Sequence, residues 1–278
     1  MRKRLDFHKI HGAGNDFIVV NNWDGIYAQW EPQFVKQICK QHLGIGADGF
    51  LAIERSELAN FRMRFFNSDG YESEMCVNGS RCICYLAHAL NIVKKDFTFE
   101  AGDGVHKAQI KSNNQVRIQV LWQRNFDSRT FPVDFLLPDG VYFKKFINTG
   151  VPHLVLECRD IENIPIAEIG HALRFHPYYQ PEGTNINFVR KSDNKENLRL
   201  HVRTFERGVD AETLACGSGA TACAISYIPD DLDHDTKVEV ITRGGNLFIS
   251  IIKNFTDIYL EGPVRYVFKG IYSEEGIL

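Results

Sequence analysis

Two stretches of the chain are almost free of permanent charge. From Met75 to Val93 the one such residue is Arg81, and from Thr213 to Pro229 there is none. A helix at the surface of a soluble protein keeps a polar face, so a helix of this composition has to be enclosed on every side. Each stretch therefore predicts a central helix wrapped by other elements, with Pro229 ending the second. The two also begin alike, as Met75-Cys76-Val77-Asn78-Gly79-Ser80 and Ala215-Cys216-Gly217-Ser218-Gly219-Ala220, 140 positions apart in a chain of 278 residues. His11-Gly12 and Thr149-Gly150 repeat more loosely at an offset of 138. A repeat this long implies two duplicated domains, since solenoid units run to about 20–45 residues.

The segments between these helices mostly alternate. Leu5–Ile10, Phe61–Phe65, Gln115–Val120, Leu198–Val202 and Lys237–Ile241 read as strands with one buried face, and Asp16–Val20 and Asn246–Ile252 as more uniformly apolar strands. Helical spacing appears at Pro32–His42, with Phe34, Val35, Ile38 and Cys39 on one side, and at Ile166–Phe175. Strands outnumber helices, and Gly, Asn or Asp turns separate many of them. The expectation is an α+β fold of two pseudo-symmetric domains, each a mainly antiparallel sheet around its central helix. Between Gln123 and Gly140 alternation is lost and two prolines occur. The boundary is accordingly expected between residues 120 and 145, giving domains 1–130 and 131–278, with the C-terminal strand free to return to the first.

Composition narrows the function classes. Lys and Arg number 32 against 35 Asp and Glu, a net charge of −3, which removes the usual electrostatic footprint of a nucleic-acid binder. Met1-Arg-Lys-Arg leads into Asp6 and His8 rather than an apolar run, unlike a secretory signal. No segment approaches the ~20 apolar residues of a membrane span. The seven cysteines are odd in number, so free thiols in a reducing cytoplasm fit better than a disulfide framework. Cys39, Cys158 and Cys223 sit among apolar neighbours and read as buried small hydrophobes. Cys76, Cys82 and Cys84 cluster, but neither Cys-x-x-Cys nor a His pair at ligand spacing accompanies them, so no metal is expected.

Cys76 and Cys216 are different because each opens a helix. A cysteine there feels unpaired backbone N–H groups and the positive end of the helix dipole, both of which favour thiolate. The same N–H groups hold anions. If two such domains close face to face, a carboxylate held by both helix starts would present its α-carbon between two sulfurs. Inverting a stereocentre by proton transfer needs that arrangement: a thiolate removes the proton from one face and a thiol returns one to the other. The alternative is a thiol redox or metal-binding protein using the same pair. Gly44-x-Gly46-x-x-Gly49 fits a dinucleotide-binding pattern but follows a helix and precedes a strand, the reverse of the order required, so it reads as a turn. The helix starts contain no lysine for a pyridoxal phosphate Schiff base.

These residues lie within a longer set. His8-Lys-Ile-His-Gly-Ala-Gly-Asn-Asp-Phe17, Gly44-Ile-Gly-Ala-Asp-Gly49, Phe66-Asn-Ser-Asp-Gly70, Glu74-Met-Cys-Val-Asn-Gly79, Asn148-Thr-Gly-Val-Pro-His153, Gly183-Thr-Asn185, Glu206-Arg-Gly208 and Glu212-Thr-Leu-Ala-Cys-Gly-Ser-Gly219 follow in order. The series resembles the diaminopimelate epimerase family across nearly the whole chain. That resemblance implies two similar domains with the active site between them, no cofactor, and Cys76 and Cys216 as the proton-transfer pair. It implies that Val77, Asn78, Gly217 and Ser218 hold the reacting carboxylate. Asn15, Asn67, Asn185, Glu206 and Arg207 match positions that bind the substrate's amino and carboxylate groups. His153, together with Glu206, matches positions that tune the cysteines. A homodimer is implied by resemblance alone, with Tyr266-Val-Phe268 as a candidate contact or else a core strand. Two positions depart from the pattern. Val77 stands where Gly is usual, and Val151 stands where many members have an Asn for the distal carboxylate. Both bear on the substrate, leaving a histidine- or proline-type racemase as the alternative.

Overall fold

The computed structural model describes residues 4–111, 114–122, 129–193 and 197–273. The first three residues of the basic start, and residues 123–128 of the expected boundary region, lie outside this set.

The first half runs β1 (Arg4–Gly12), β2 (Asn15–Asn21), α1 (Pro32–Cys39), β3 (Gly49–Glu54), β4 (Phe61–Asn67), β5 (Glu72–Ser73), α2 (Val77–Ala89), β6 (Asp96–Ala101), β7 (Gly104–Ile110) and β8 (Gln115–Val120). The second runs β9 (Val141–Asn148), β10 (Pro152–Cys158), α3 (Ile166–Arg174), β11 (Asn185–Lys191), β12 (Arg199–Glu206), β13 (Ala211–Thr213), α4 (Gly217–Ser226), β14 (Thr236–Thr242), β15 (Gly245–Ile251) and β16 (Ile258–Pro263). A last strand, β17 (Arg265–Ser273), follows. The pairing rules of the halves coincide. β1–β2 and β9–β10 are antiparallel, β2–β3 and β10–β11 parallel, β3–β4 and β11–β12 antiparallel, and β4–β6 and β12–β14 parallel. Parallel neighbours need a crossover, and the four helices supply all four. Each half is thus α+β with a mainly antiparallel sheet, as a duplication requires.

The chain divides into Met1–Gln119 with Gly262–Leu278, and Val120–Glu261. The last strand belongs to the first unit because β17 pairs antiparallel with β1 from Arg4↔Ser273 to His11↔Arg265. It is not a core strand, since Val267, Phe268 and Ile271 are all about half exposed.

The charge-free segments are the enclosed helices. In α2 every residue from Val77 to Ala87 except Tyr85 is buried, and in α4 every residue except Ser218. α2 packs on β1, β2, β3, β4 and β7, and α4 on β9, β10, β11, β12, β14 and β15. The opposite sheet face in each unit is covered by the amphipathic helix, α1 over Leu5, Ile18, Val20 and Phe50, and α3 over Leu154, Leu156 and Phe205.

Helix α1 stops at Cys39, short of the expected His42, because the following loop folds back on it. The amides of Ile45 and Gly46 both take the Ile38 carbonyl and Ala47 takes that of Cys39, satisfying the terminal acceptors. A Cβ at Gly44 would lie 2.3 Å from the Gln37 oxygen, so this return admits only glycine. The Gly44–Gly49 stretch is therefore the helix-to-strand turn its context predicted.

Candidate active site

In the first unit Cys76 is the N-cap of α2, extended at φ −137° and ψ 113°. Its Sγ accepts from the Gly79 amide at 3.4 Å, taking one of the four donors left open at a helix start. Cys76 is half-buried, whereas Asn78 and Gly79 beneath it are buried. Asn15 opens β2 after the Ala13-Gly14 turn, both residues with positive φ. Its Oδ1 lies 3.8 Å from Cys76 Sγ and accepts from Asn78 Nδ2 at 3.3 Å, while its Nδ2 donates to Asp48 Oδ2 at 2.7 Å. Asp48's carboxyl is raised by burial, an effect opposed by the Asn15 hydrogen bond. Lys9 Nζ pairs with Asp16 Oδ2 at 2.5 Å and also donates to the Gly46 carbonyl. Of the expected residues, Asn15, Cys76 and Asn78 touch, and Val77 is buried in the first helical turn. Asn67 is at the end of β4, exposed, with its backbone closing the turn to Gly70 and Tyr71.

In the second unit Cys216 caps α4 in the same way, at φ −113° and ψ 116°, with Gly219 N donating to Sγ at 3.4 Å. Ser218 Oγ stands 3.4 Å from this sulfur, and the Ser218 carbonyl accepts from Thr149 Oγ1 at 3.3 Å. Thr149 and the half-buried Val151 belong to the turn between β9 and β10, opened by Gly150 at φ 97°. Asn185 uses both ends of its side-chain amide. Its Nδ2 donates to the Pro152 carbonyl at 2.9 Å and its Oδ1 accepts the Arg207 amide at 2.8 Å, so it ties the β10 start to the end of β12. Arg207 Nη1 reaches the Glu182 carbonyl at 3.1 Å, and Glu206 Oε2 accepts from Thr213 Oγ1 at 2.9 Å.

His153 is fully buried on β10. Burial, helped by the Arg207 charge and opposed by Asn187, holds its pKa down to about 3, so the ring is neutral. Its tautomer follows from Asn187, a residue the sequence reading did not single out. Asn187 Nδ2 donates to the Leu154 carbonyl at 3.1 Å and its Oδ1 accepts from Thr204 Oγ1 at 3.0 Å, which orients the amide. The same Nδ2 lies 3.1 Å from His153 Nδ1, making that nitrogen an acceptor and placing the proton on Nε2. Asn187 also sets the helix start, for a Cβ on Gly219 would lie 2.3 Å from its Oδ1.

The remaining cysteines are buried. Burial pushes the Cys39 and Cys158 thiols up to about 12, and those of Cys82, Cys84 and Cys223 well above their ordinary value. Among the described residues no group of three His, Cys, Asp or Glu side chains could hold a metal ion. No helix there is long and apolar enough to cross a membrane.

Solved structures share this duplicated fold. A phenazine biosynthesis protein from Bacillus anthracis superposes with a TM-score of 0.71 at 15% identity, covering 97% of this chain and 99% of that one. A hydroxyproline epimerase from Agrobacterium vitis, with trans-4-hydroxy-L-proline bound, gives 0.67 at 12%, covering 99% and 95%. Sequence relatives are much nearer. The diaminopimelate epimerase of Aquifex aeolicus is 40% identical over 282 residues, 98% of this chain and 99% of the relative. That of a Hydrogenobaculum species is 38% identical over 278 residues, 96% and 98%. The family model described as diaminopimelate epimerase matches residues 7–122 and 145–267, so both cysteine-capped helices fall inside it. With likeness of sequence spanning both halves, the chain belongs to the diaminopimelate epimerase family.

Proposed function

We propose that the protein is an isomerase that interconverts LL- and meso-diaminopimelate, a step of lysine and peptidoglycan-precursor synthesis, without a cofactor. The carrying observation is that each half of a duplicated fold offers one cysteine as the N-cap of its enclosed helix, each sulfur already accepting a backbone amide at 3.4 Å. In this reading one sulfur, as thiolate, takes the α-proton from one face of the carbon. The electron pair left behind spreads into the adjacent carboxylate, whose growing charge is met by the amides of Val77, Asn78, Gly217 and Ser218 at the two helix starts. The other sulfur, as thiol, gives its proton to the opposite face. Atoms balance, the cysteines exchange protonation states, and the reverse reaction uses them in exchanged roles.

Asn15, Asn67, Asn185, Glu206 and Arg207 would recognise the non-reacting end, which carries one ammonium and one carboxylate. Asn185 acts there through Arg207, whose amide it holds. Neutral His153 and the Glu206 carboxylate would tune the cysteines. Val151 adds no donor, so distal recognition rests on the other groups. The full-length relatives at 38 and 40% identity favour diaminopimelate over a histidine- or proline-type racemase. A cytoplasmic homodimer completes the reading.

The test is incubation with LL-diaminopimelate in heavy water with fresh reductant. Deuterium is expected at one α-carbon as the meso isomer forms. Absence of exchange overturns the assignment, and a much higher rate on a monocarboxylic amino acid overturns the substrate.

A further inference from the structure

We propose that Arg81 is a positioning residue acting through Cys76: its buried charge makes Cys76 the more acidic of the two helix-capping cysteines, and so the thiolate in the resting protein. This rests on the two-thiol reading above and adds to it which sulfur begins as the base.

The duplication is broken at this position. Arg81 is fully buried. Its Nη1 donates to the Val77 carbonyl at 3.2 Å and its Nη2 to Asn78 Oδ1 at 2.9 Å. The matching residue of α4 is Thr221, also fully buried, whose Oγ1 donates to the corresponding Gly217 carbonyl at 3.0 Å. One helix thus carries a cation where the other carries a hydroxyl, although both groups satisfy the same backbone acceptor. Gly12 makes room for the guanidinium, since a Cβ there would lie 3.1 Å from Arg81 Nη2.

Among the described residues Arg81 has no carboxylate partner. Its hydrogen bonds go to neutral acceptors, and its buried Nε has none. Burial lowers the guanidinium to about 10, against the opposing pull of the Cys82 and Cys76 sulfurs, so it stays charged at neutral pH. A buried cation without an anion is costly, and a thiolate within electrostatic reach offsets that cost. Cys82 cannot serve, because full burial pushes its thiol far up. Cys76 is half-buried and already accepts a helix amide.

Most of the other charges packed around α2 are already engaged, and the rest are exposed. From β1 and β2, Lys9 pairs with Asp16 at 2.5 Å, and His11 Nδ1 accepts the Gly14 amide. Before β3, Asp48 takes the Asn15 amide and its carboxyl is raised by burial. Glu54 at the end of β3 accepts from Asn22 and Trp30. On β4, Arg64 is bound to Glu72 at 2.7 Å and Arg62 lies 3.8 Å from Glu100. On β7, His106 bonds Asp103 while Lys107 is exposed; Glu74, ahead of α2, is exposed too. In the other unit α4 has no permanent charge, and Glu206 and Arg207 at the end of β12 are of opposite sign.

The experiment is peptide-resolved mass spectrometry of iodoacetamide alkylation against pH on the full chain without substrate. Midpoints are compared rather than rates, which removes the difference in exposure between the sulfurs. Cys76 is expected to titrate below Cys216 by about one unit, about tenfold in thiolate fraction at a given pH. Arg81→Met should move the Cys76 midpoint up and leave that of Cys216 in place, whereas Arg81→Lys, which keeps the charge, should preserve the order. Equal or inverted midpoints in the native protein overturn the proposal, as does a Met variant with an unmoved Cys76. Should the Met variant fail to fold, the native protein and the Lys variant decide. Equal midpoints with full deuterium exchange sink only the role of Arg81, whereas ordered midpoints without exchange sink the epimerase reading.

Discussion

Gly79 and Gly219 occupy the same place in the two helix starts, yet an added methyl should be felt very differently. At Gly219 the new Cβ would stand 2.3 Å from Asn187 Oδ1 and 3.3 Å from Cys216 Sγ. Asn187 cannot retreat, because it is fully buried and bound to Leu154, His153 and Thr204. Overpacking costs about 1–3 kcal/mol, and each buried partner left unpaired adds about 1–3 kcal/mol. The helical preference of Ala over Gly returns at most about 1 kcal/mol. Gly219→Ala should therefore destabilise its unit by roughly 2–4 kcal/mol, a fall of roughly 5–12 °C in Tm. At Gly79 the Cβ would meet the Leu51 methyls and the Phe17 ring edge at 3.4 Å, near ordinary contact with a side chain that can turn. Gly79→Ala should stay within about 1 kcal/mol of the native protein. Urea and thermal unfolding of both variants, followed by deuterium exchange, measure the contrast. Equal stability of the two variants would refute the argument that Asn187 fixes the α4 start.

The same contact predicts coupling: in an Asn187→Ala background the clash is gone, so Gly219→Ala should cost clearly less than it does alone, and strict additivity in a double-mutant cycle would contradict this. Asn187→Ala by itself leaves the Leu154 carbonyl, His153 Nδ1 and Thr204 Oγ1 without their partner, an expected loss of about 3 kcal/mol in urea unfolding. For His153 the folded pKa, about 3, lies below the ordinary value of 6.5. Its contribution is fully present above the unfolded pKa and is lost as pH falls towards the folded one, with a slope up to about 1.4 kcal/mol per pH unit. Unfolding measured from pH 7 to pH 4 should show this acid limb, and His153→Gln should flatten it; an unchanged limb would mean that the ring is not held neutral.

Much of the fold was legible because its strongest signals are local. Alternation in Phe61–Phe65 and Lys237–Ile241 marks strands whatever they pair with, and the charge-free helices declare their burial. Helix ends were less legible. α1 loses its last expected turn to the Gly44–Ala47 loop, a contact between residues that no periodicity links. At the site, the two cysteines could be read from their repeated context, and Arg81 stood out as one charge in an apolar helix. Asn187 could not, since nothing in Asn185-Ile-Asn187-Phe distinguishes an amide that clamps a histidine from one that ends a turn. For Asn185, read as a ligand-binding amide, nothing in the sequence signalled that it also ties Pro152 to Arg207.

What the amino-acid order determined alone is the plan: two copies of one α+β unit, each around a helix too apolar to face water and opened by a cysteine. Burial demands and strand periodicity are properties of short segments, and they survive without knowledge of partners. Only the folded chain decided which amide points which way, which imidazole nitrogen carries the proton, and that a guanidinium binds the first-turn carbonyl of one enclosed helix and a hydroxyl that of the other. Those choices depend on donors and acceptors brought together from distant positions, and hydrogen-bond direction is set only where the partners meet.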